Sequence, residues 1–209
     1  MVVRSYHLTQ SGRSANMNFL AHSLFADSRP PVIVGQFCGD FMRGGSLEQF
    51  PEAVREGIVL HRQIDSYTDA HPVNLEARRL FQAPFRRFAG ILTDVVYDHY
   101  LARNWATYSE LPLREHVDQV YQALDSHFEL LPLDLQRFAR FVIDKDILAS
   151  YLEFDAVERA LSRISRRSER FLVLEEAGAV LLEHDQPLSD CFARFFPDLQ
   201  AQVRDSGTI

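Results

Sequence analysis

From Met17 onward, apolar residues recur three or four positions apart rather than in alternation, and no Asn-Gly or Asp-Gly hairpin turn interrupts them. That is the spacing of amphipathic helices, and it predicts an all-α fold. A first helix is expected over residues 18 to about 27, stopping before Arg29-Pro30-Pro31, because a residue preceding proline is pushed out of helical backbone. Residues 32–43 carry the weakest pattern and read as a short helix ended by Gly44-Gly45. Pro51 suits the first turn of a helix over 52–68, Pro72 opens another to 81, and Pro84 a long one over 85 to about 105. Further helical patterns cover 113–128, 133–152, 155–172 and 174–183, with prolines at 132, 187 and 197 as punctuation. Residues 1–16 are polar and unpatterned and read as a flexible extension, leaving 17–205 as one compact helical bundle.

The 209 residues, 46% of them hydrophobic, suffice for a single core. The net charge of -7 gives nucleic-acid binding no support. Lys145 is the only lysine, so the cations are almost all arginines, whose planar fork suits bidentate contact with phosphate or carboxylate. Cys38 and Cys191 lack CxxC spacing and are expected as reduced, buried thiols without a nucleophilic role. No apolar run approaches 18 residues and no signal-type segment follows Met1, so a soluble cytoplasmic protein with no membrane contact is expected.

His61, Asp65 and Asp69 stand four residues apart on one predicted helix, and each step of four turns a side chain by only about 40°, so the three share a face. Asp94 and Asp98 make a second such pair, followed directly by His99. A carboxylate on an apolar helix must be compensated, since an unpaired buried ion costs several kcal/mol as a rough figure. Arginine is one partner and a metal ion another, and spacing alone leaves the two open. His22 lies on an apolar helix and Asp40 among glycines that would let backbone approach a ligand closely, although a core histidine and an Asp40–Arg43 ion pair are the plainer readings. A mixed His and carboxylate set suits Mn²⁺, Mg²⁺ or Fe²⁺ better than structural zinc. Such an ion favours phosphoester hydrolysis. Arg43 and Arg62, beside these positions, would then neutralise phosphate oxygens or simply pair with the acidic cluster. His71 and His99 are candidate ligands or proton donors. No GxSxG, phosphate-loop or His-Glu-x-x-His motif occurs.

Four ordered motifs carry a resemblance. These are Asn18-Phe19-Leu20-Ala21-His22, Gly39-Asp40-Phe41-Met42-Arg43-Gly44, the run from Gly57 through His61, Asp65 and Asp69 to His71-Pro72, and the run from Asp94 through Asp98 and His99 to Trp105. Together they resemble the bacterial acyl carrier protein phosphodiesterases, regarded as divergent relatives of the HD metal-dependent phosphohydrolases, all-helical and Mn²⁺-dependent. The resemblance implies hydrolysis of the phosphodiester joining 4′-phosphopantetheine to a serine of holo acyl carrier protein. It implies metal and catalytic positions at His22, Asp40, His61, Asp65, Asp69, Asp94, Asp98 and His99. Because carrier proteins are acidic and this chain is too, docking calls for a local arginine patch. Arg159, Arg163, Arg166, Arg167 and Arg170 form the first candidate and Arg78, Arg79, Arg86 and Arg87 the second, a solvated helix face being the alternative for either. Two further readings stand beside this one: an HD-like phosphohydrolase acting on nucleotides or other small phosphoesters, and a non-catalytic helical module whose His and Asp residues form a buried network.

Overall fold

The computed structural model describes residues 18–42 and 46–205, which form helices and no strand. The predicted extension over 1–16 and Arg43 lie outside the described residues. In chain order the α-helices are α1 (Phe19–Leu24), α2 (Pro30–Phe41), α3 (Glu52–Ala70), α4 (Pro72–Arg79), α5 (Ala89–Arg103) and α6 (Trp105–Tyr108). The second half supplies α7 (Leu113–Ser126), α8 (Leu133–Asp144), α9 (Ile147–Ser150), α10 (Asp155–Ser165), α11 (Ala177–Glu183) and α12 (Asp185–Asp205).

The weak pattern over 32–43 is a full helix. α2 buries Val32 through Cys38 without interruption, so it has no polar face to give it a helical period. Elsewhere helices are shorter than the apolar spacing predicts. Phe85–Phe88 is a 3-10 turn before α5 begins. The stretch 133–152 breaks at Asp146, whose left-handed backbone at φ 48° is held by two hydrogen bonds from Arg114 Nη1, at 2.8 and 2.9 Å. After α10 the chain continues as 3-10 helix over Glu169–Glu176. Pro187 falls in the first turn of α12, as punctuation at a helix start would, whereas Pro197 lies inside that helix instead. A proline within a helix costs about 3 kcal/mol. The apolar stripe Leu188, Cys191, Phe192, Phe195, Phe196, Leu199 and Val203 offsets it, at about 1.5–3 kcal/mol for each large side chain removed from water.

α5 runs through the interior, with Leu92 to Ala102 buried on every side. α1 and α10 pack on it from different directions, and α4 and α12 from others. α2 packs closely on α3 where Gly35 meets Gly57. A Cβ on Gly57 would stand 2.8 Å from Gly35 Cα and 3.0 Å from Gln36 N. The glycines of α2 therefore admit a helix, not a ligand. Both cysteines are free and buried, and burial pushes the Cys38 thiol up to about 12. None of the described helices is long and apolar enough to cross a membrane.

Candidate metal centre

α1 has only six residues, too few to be stable alone, and tertiary bonds fix it. Asp98 of α5 accepts the backbone N–H groups of Leu20 at 3.2 Å and Ala21 at 3.1 Å, satisfying orphan donors of the first turn. Ser23 Oγ donates to the Leu20 carbonyl and contacts His116 Nε2 at 2.8 Å. Held this way, α1 directs His22 into the interior against α2 and α3.

There the imidazoles of His22 and His61 stack, 4.0 Å between ring centroids. His22 Nδ1 bonds the side-chain oxygen of Gln36 at 3.0 Å. Since that amide oxygen only accepts, Nδ1 carries a hydrogen, and the bond turns Nε2 toward α3. Nε2 faces Asp65 Oδ1 at 3.2 Å, and both atoms are buried without a hydrogen bond. His61 Nε2 lies 3.3 Å from Asp65 Oδ2 and 3.5 Å from Asp40 Oδ1. Ligand atoms of His22, His61 and Asp65 all fall within 4.8 Å of one another. A proton or a cation must stand between His22 Nε2 and Asp65 Oδ1. Two imidazoles plus carboxylate match the donor set of a borderline or hard divalent cation. The histidines are 0% and 2% exposed, whereas Asp65 and Asp40 are 27% and 15% exposed, so the centre opens on its carboxylate side.

The electrostatics agree. Burial alone would push the His61 imidazolium down, but Asp40 and Asp65 outweigh it and raise its pKa to about 9. Burial would push Asp65 up, yet His22 and His61 hold it well below the usual carboxylate range. Asp94, buried on α5, is driven up to about 8 by desolvation and by the charges of Asp65, Asp69 and Asp40, with Arg78 opposing. It thus sits within the field of the centre.

The model of the acyl carrier protein phosphodiesterase family matches residues 17–199, a span that contains every one of these groups. The chain belongs to the acyl carrier protein phosphodiesterase family. Relatives bearing that name include one from Yersinia enterocolitica, 30% identical over 90% of this chain and 98% of its own length. Others come from Enterobacter sp. (strain 638), 33% identical over 90% and 98%, and from Escherichia coli, 34% identical over 90% and 97%. No solved structure matches the chain.

Of the residues that resemblance to acyl carrier protein phosphodiesterases implied, the structure gathers His22, His61, Asp65 and Asp40, with Asp94 in electrostatic reach. Asp98 serves α1 instead, and burial raises its carboxyl well above the ordinary value. His99 is not brought to the group. Its Nδ1 bonds the Tyr151 carbonyl at 2.7 Å, its ring lies against Phe154, and burial lowers its pKa. Asp69 is exposed and paired with Arg78 at 2.7 Å. His71 caps the α3–α4 corner, 3.4 Å from Asp198, between Tyr67 and Phe195. Arg62 is exposed on α3. Two residues of the centre were missed. Gln36 orients the His22 ring, and its signal was a lone amide in an otherwise apolar run. Gly39 makes room for the His61 ring, since a Cβ there would stand 2.8 Å from His61 Nδ1 and closer still to the ring carbons.

Proposed function

We propose that this protein hydrolyses the phosphodiester joining 4′-phosphopantetheine to the carrier serine of holo acyl carrier protein, releasing apo carrier and 4′-phosphopantetheine. The observation that carries the reading is the buried His22–His61–Asp65 group, with Asp40 beside it, in a chain matched to that family over residues 17–199. His22, His61 and Asp65 are the ligands we assign to a divalent ion, with Asp40 completing the set and Mn²⁺ the preferred metal, Mg²⁺ or Fe²⁺ being alternatives. When bound, such an ion polarises a phosphoryl oxygen and lowers the pKa of its water toward neutrality.

The protein's own groups have distinct tasks in this scheme. Gln36 holds the His22 ring with Nε2 forward. Asp98 holds α1 and hence His22. Asp94, buried on α5 within the field of Asp65 and Asp40, is the carboxyl we assign to hold a proton in this scheme. Arg159, Arg163 and Arg167 stand one turn apart from α10 into the turn after it, and Arg167 feels the charge of Asp40. A basic row that ends at the carboxylate mouth suits an acidic carrier delivering its serine there. Incubation of the purified protein with Mn²⁺ and holo carrier is expected to remove the phosphopantetheine mass from the carrier, and Asp65→Ala to abolish that loss. Turnover of free nucleotides or small phosphoesters with none of the carrier would reject the assignment.

A further inference from the structure

A cavity of about 420 Å³ lies between the end of α4 and the start of α5, lined by none of the residues of the metal centre. Its size falls within the rough 300–1,000 Å³ of small-ligand sites. Arg78, Arg79, Arg86 and Arg87 line it together with Gln82 and the ring of Phe81, and none of its lining residues is acidic. In a chain of net charge -7, four guanidinium groups around one concavity are a marked local reversal. Arg78 is anchored by Asp69 at 2.7 Å, and its Nε is buried with no partner. Gly90 lies against that guanidinium, and a Cβ there would meet it at 3.8 Å, in ordinary contact. Arg87 lies over the Phe88 ring and reaches the Arg170 carbonyl at 3.5 Å. Arg79 and Arg86 are exposed and are in no ion pair among the described residues.

We propose that this cavity binds a phosphate monoester dianion. Several forks converging on one hollow favour a group with three terminal oxygens and two charges over a single carboxylate. The concave shape suits a small molecule. Leu75, exposed at the rim, supplies apolar surface for a short tail. Two sources fit this chemistry, released 4′-phosphopantetheine and free inorganic phosphate. The inference goes beyond the proposed function and stands whether or not holo carrier is the substrate.

Calorimetry on the full chain loaded with Mn²⁺ tests it, titrating 4′-phosphopantetheine, inorganic phosphate and phosphate-free pantetheine in turn. Both phosphate-bearing ligands are expected to bind and pantetheine is not, with amide-exchange protection over residues 75–90. Arg79→Gln with Arg86→Gln should weaken that binding by about tenfold or more, a lost hydrogen bond to a charged group being worth about tenfold or more. Arg159→Gln with Arg166→Gln should leave it unchanged, and the cavity variant should keep its melting temperature. Tighter binding of the ester than of free phosphate would name the product as ligand, and the reverse would name the ion. Absence of phosphate binding, affinity unchanged in the Arg79/Arg86 variant, or protection confined to α1–α3 would overturn the site. Loss of carrier hydrolysis with cavity binding intact would reject only the proposed function.

Discussion

Two carboxylates, Asp40 and Asp65, converge within 3.5 Å of His61 Nε2, and without a divalent cation the charge they require comes from a proton on that ring. A metal ion must displace this proton, because only neutral imidazole ligates. With His61 raised to about 9, metal binding at pH 7 is expected to expel about one proton, and affinity to climb by about tenfold per pH unit before levelling near pH 9. Calorimetry of Mn²⁺ binding in buffers of different ionisation enthalpy counts the proton directly. Asp40→Asn removes one of the charges that raise His61, so its plateau should begin at lower pH. No proton release at pH 7 would contradict this account of the centre. His61, Asp65, His22 and Asp40 were legible in the sequence because spacing puts His61 and Asp65 on one face and because polar groups on apolar helices need partners. The split between Asp98 and His99 was not legible. Adjacent helical residues point about 100° apart, so on one buried helix Asp98 meets α1 while His99 meets Tyr151, and only packing decides which side the centre occupies.

The crossing of α2 and α3 sets the distances in the centre. Gly57, His61 and Asp65 lie at successive steps of four along α3, and Gly35 and Gly39 do so along α2. The contact between Gly35 and Gly57 brings the backbones together, and one turn on Gly39 receives the His61 ring. Gly57→Ala would drive a Cβ into the Val32 carbonyl and to 2.8 Å from Gly35 Cα, neither of which can swing aside. Overpacking of this kind costs about 1–3 kcal/mol, more than the up to about 1 kcal/mol that alanine gains in helix propensity. The expected result is a lower melting temperature with reduced Mn²⁺ stoichiometry by elemental analysis. Gly90→Ala, with its nearest neighbour at 3.8 Å, should melt at or above the parent temperature. Equal melting of parent and Gly57→Ala would show that the crossing has slack. Helix existence was readable from apolar spacing over most of the chain up to residue 183, whereas α12, the breaks at Asp146 and after Ser165, and the run of α12 through Pro197 were not. Those depend on tertiary partners such as Arg114 and on an aromatic stripe whose burial outweighs the proline.

Across the whole molecule, the acidic net charge opposes approach of an acidic carrier, and the basic residues are collected where they counter it. The α10 row and the arginine cavity adjoin, since Arg87 reaches the Arg170 carbonyl and the Phe88 and Phe171 rings lie 5.6 Å apart. The two arginine groups seen separately in the sequence thus form one continuous basic margin. Within it Arg163 is half-buried over Phe141, its pKa lowered by desolvation, so its stem is also packing. Arg159 and Arg166 are exposed and make the cleaner probes. Reversing both to Glu should raise the Michaelis constant for holo carrier by about tenfold, through slower encounter, while kcat holds. The parent enzyme should lose carrier affinity as salt rises, because exposed charges more than about 8–10 Å apart are screened at physiological ionic strength. In the reversed variant that dependence should flatten or invert, which a merely misfolded protein would not do. A Michaelis constant and salt profile identical to the parent would move carrier docking off α10, leaving the metal centre's assignment untouched.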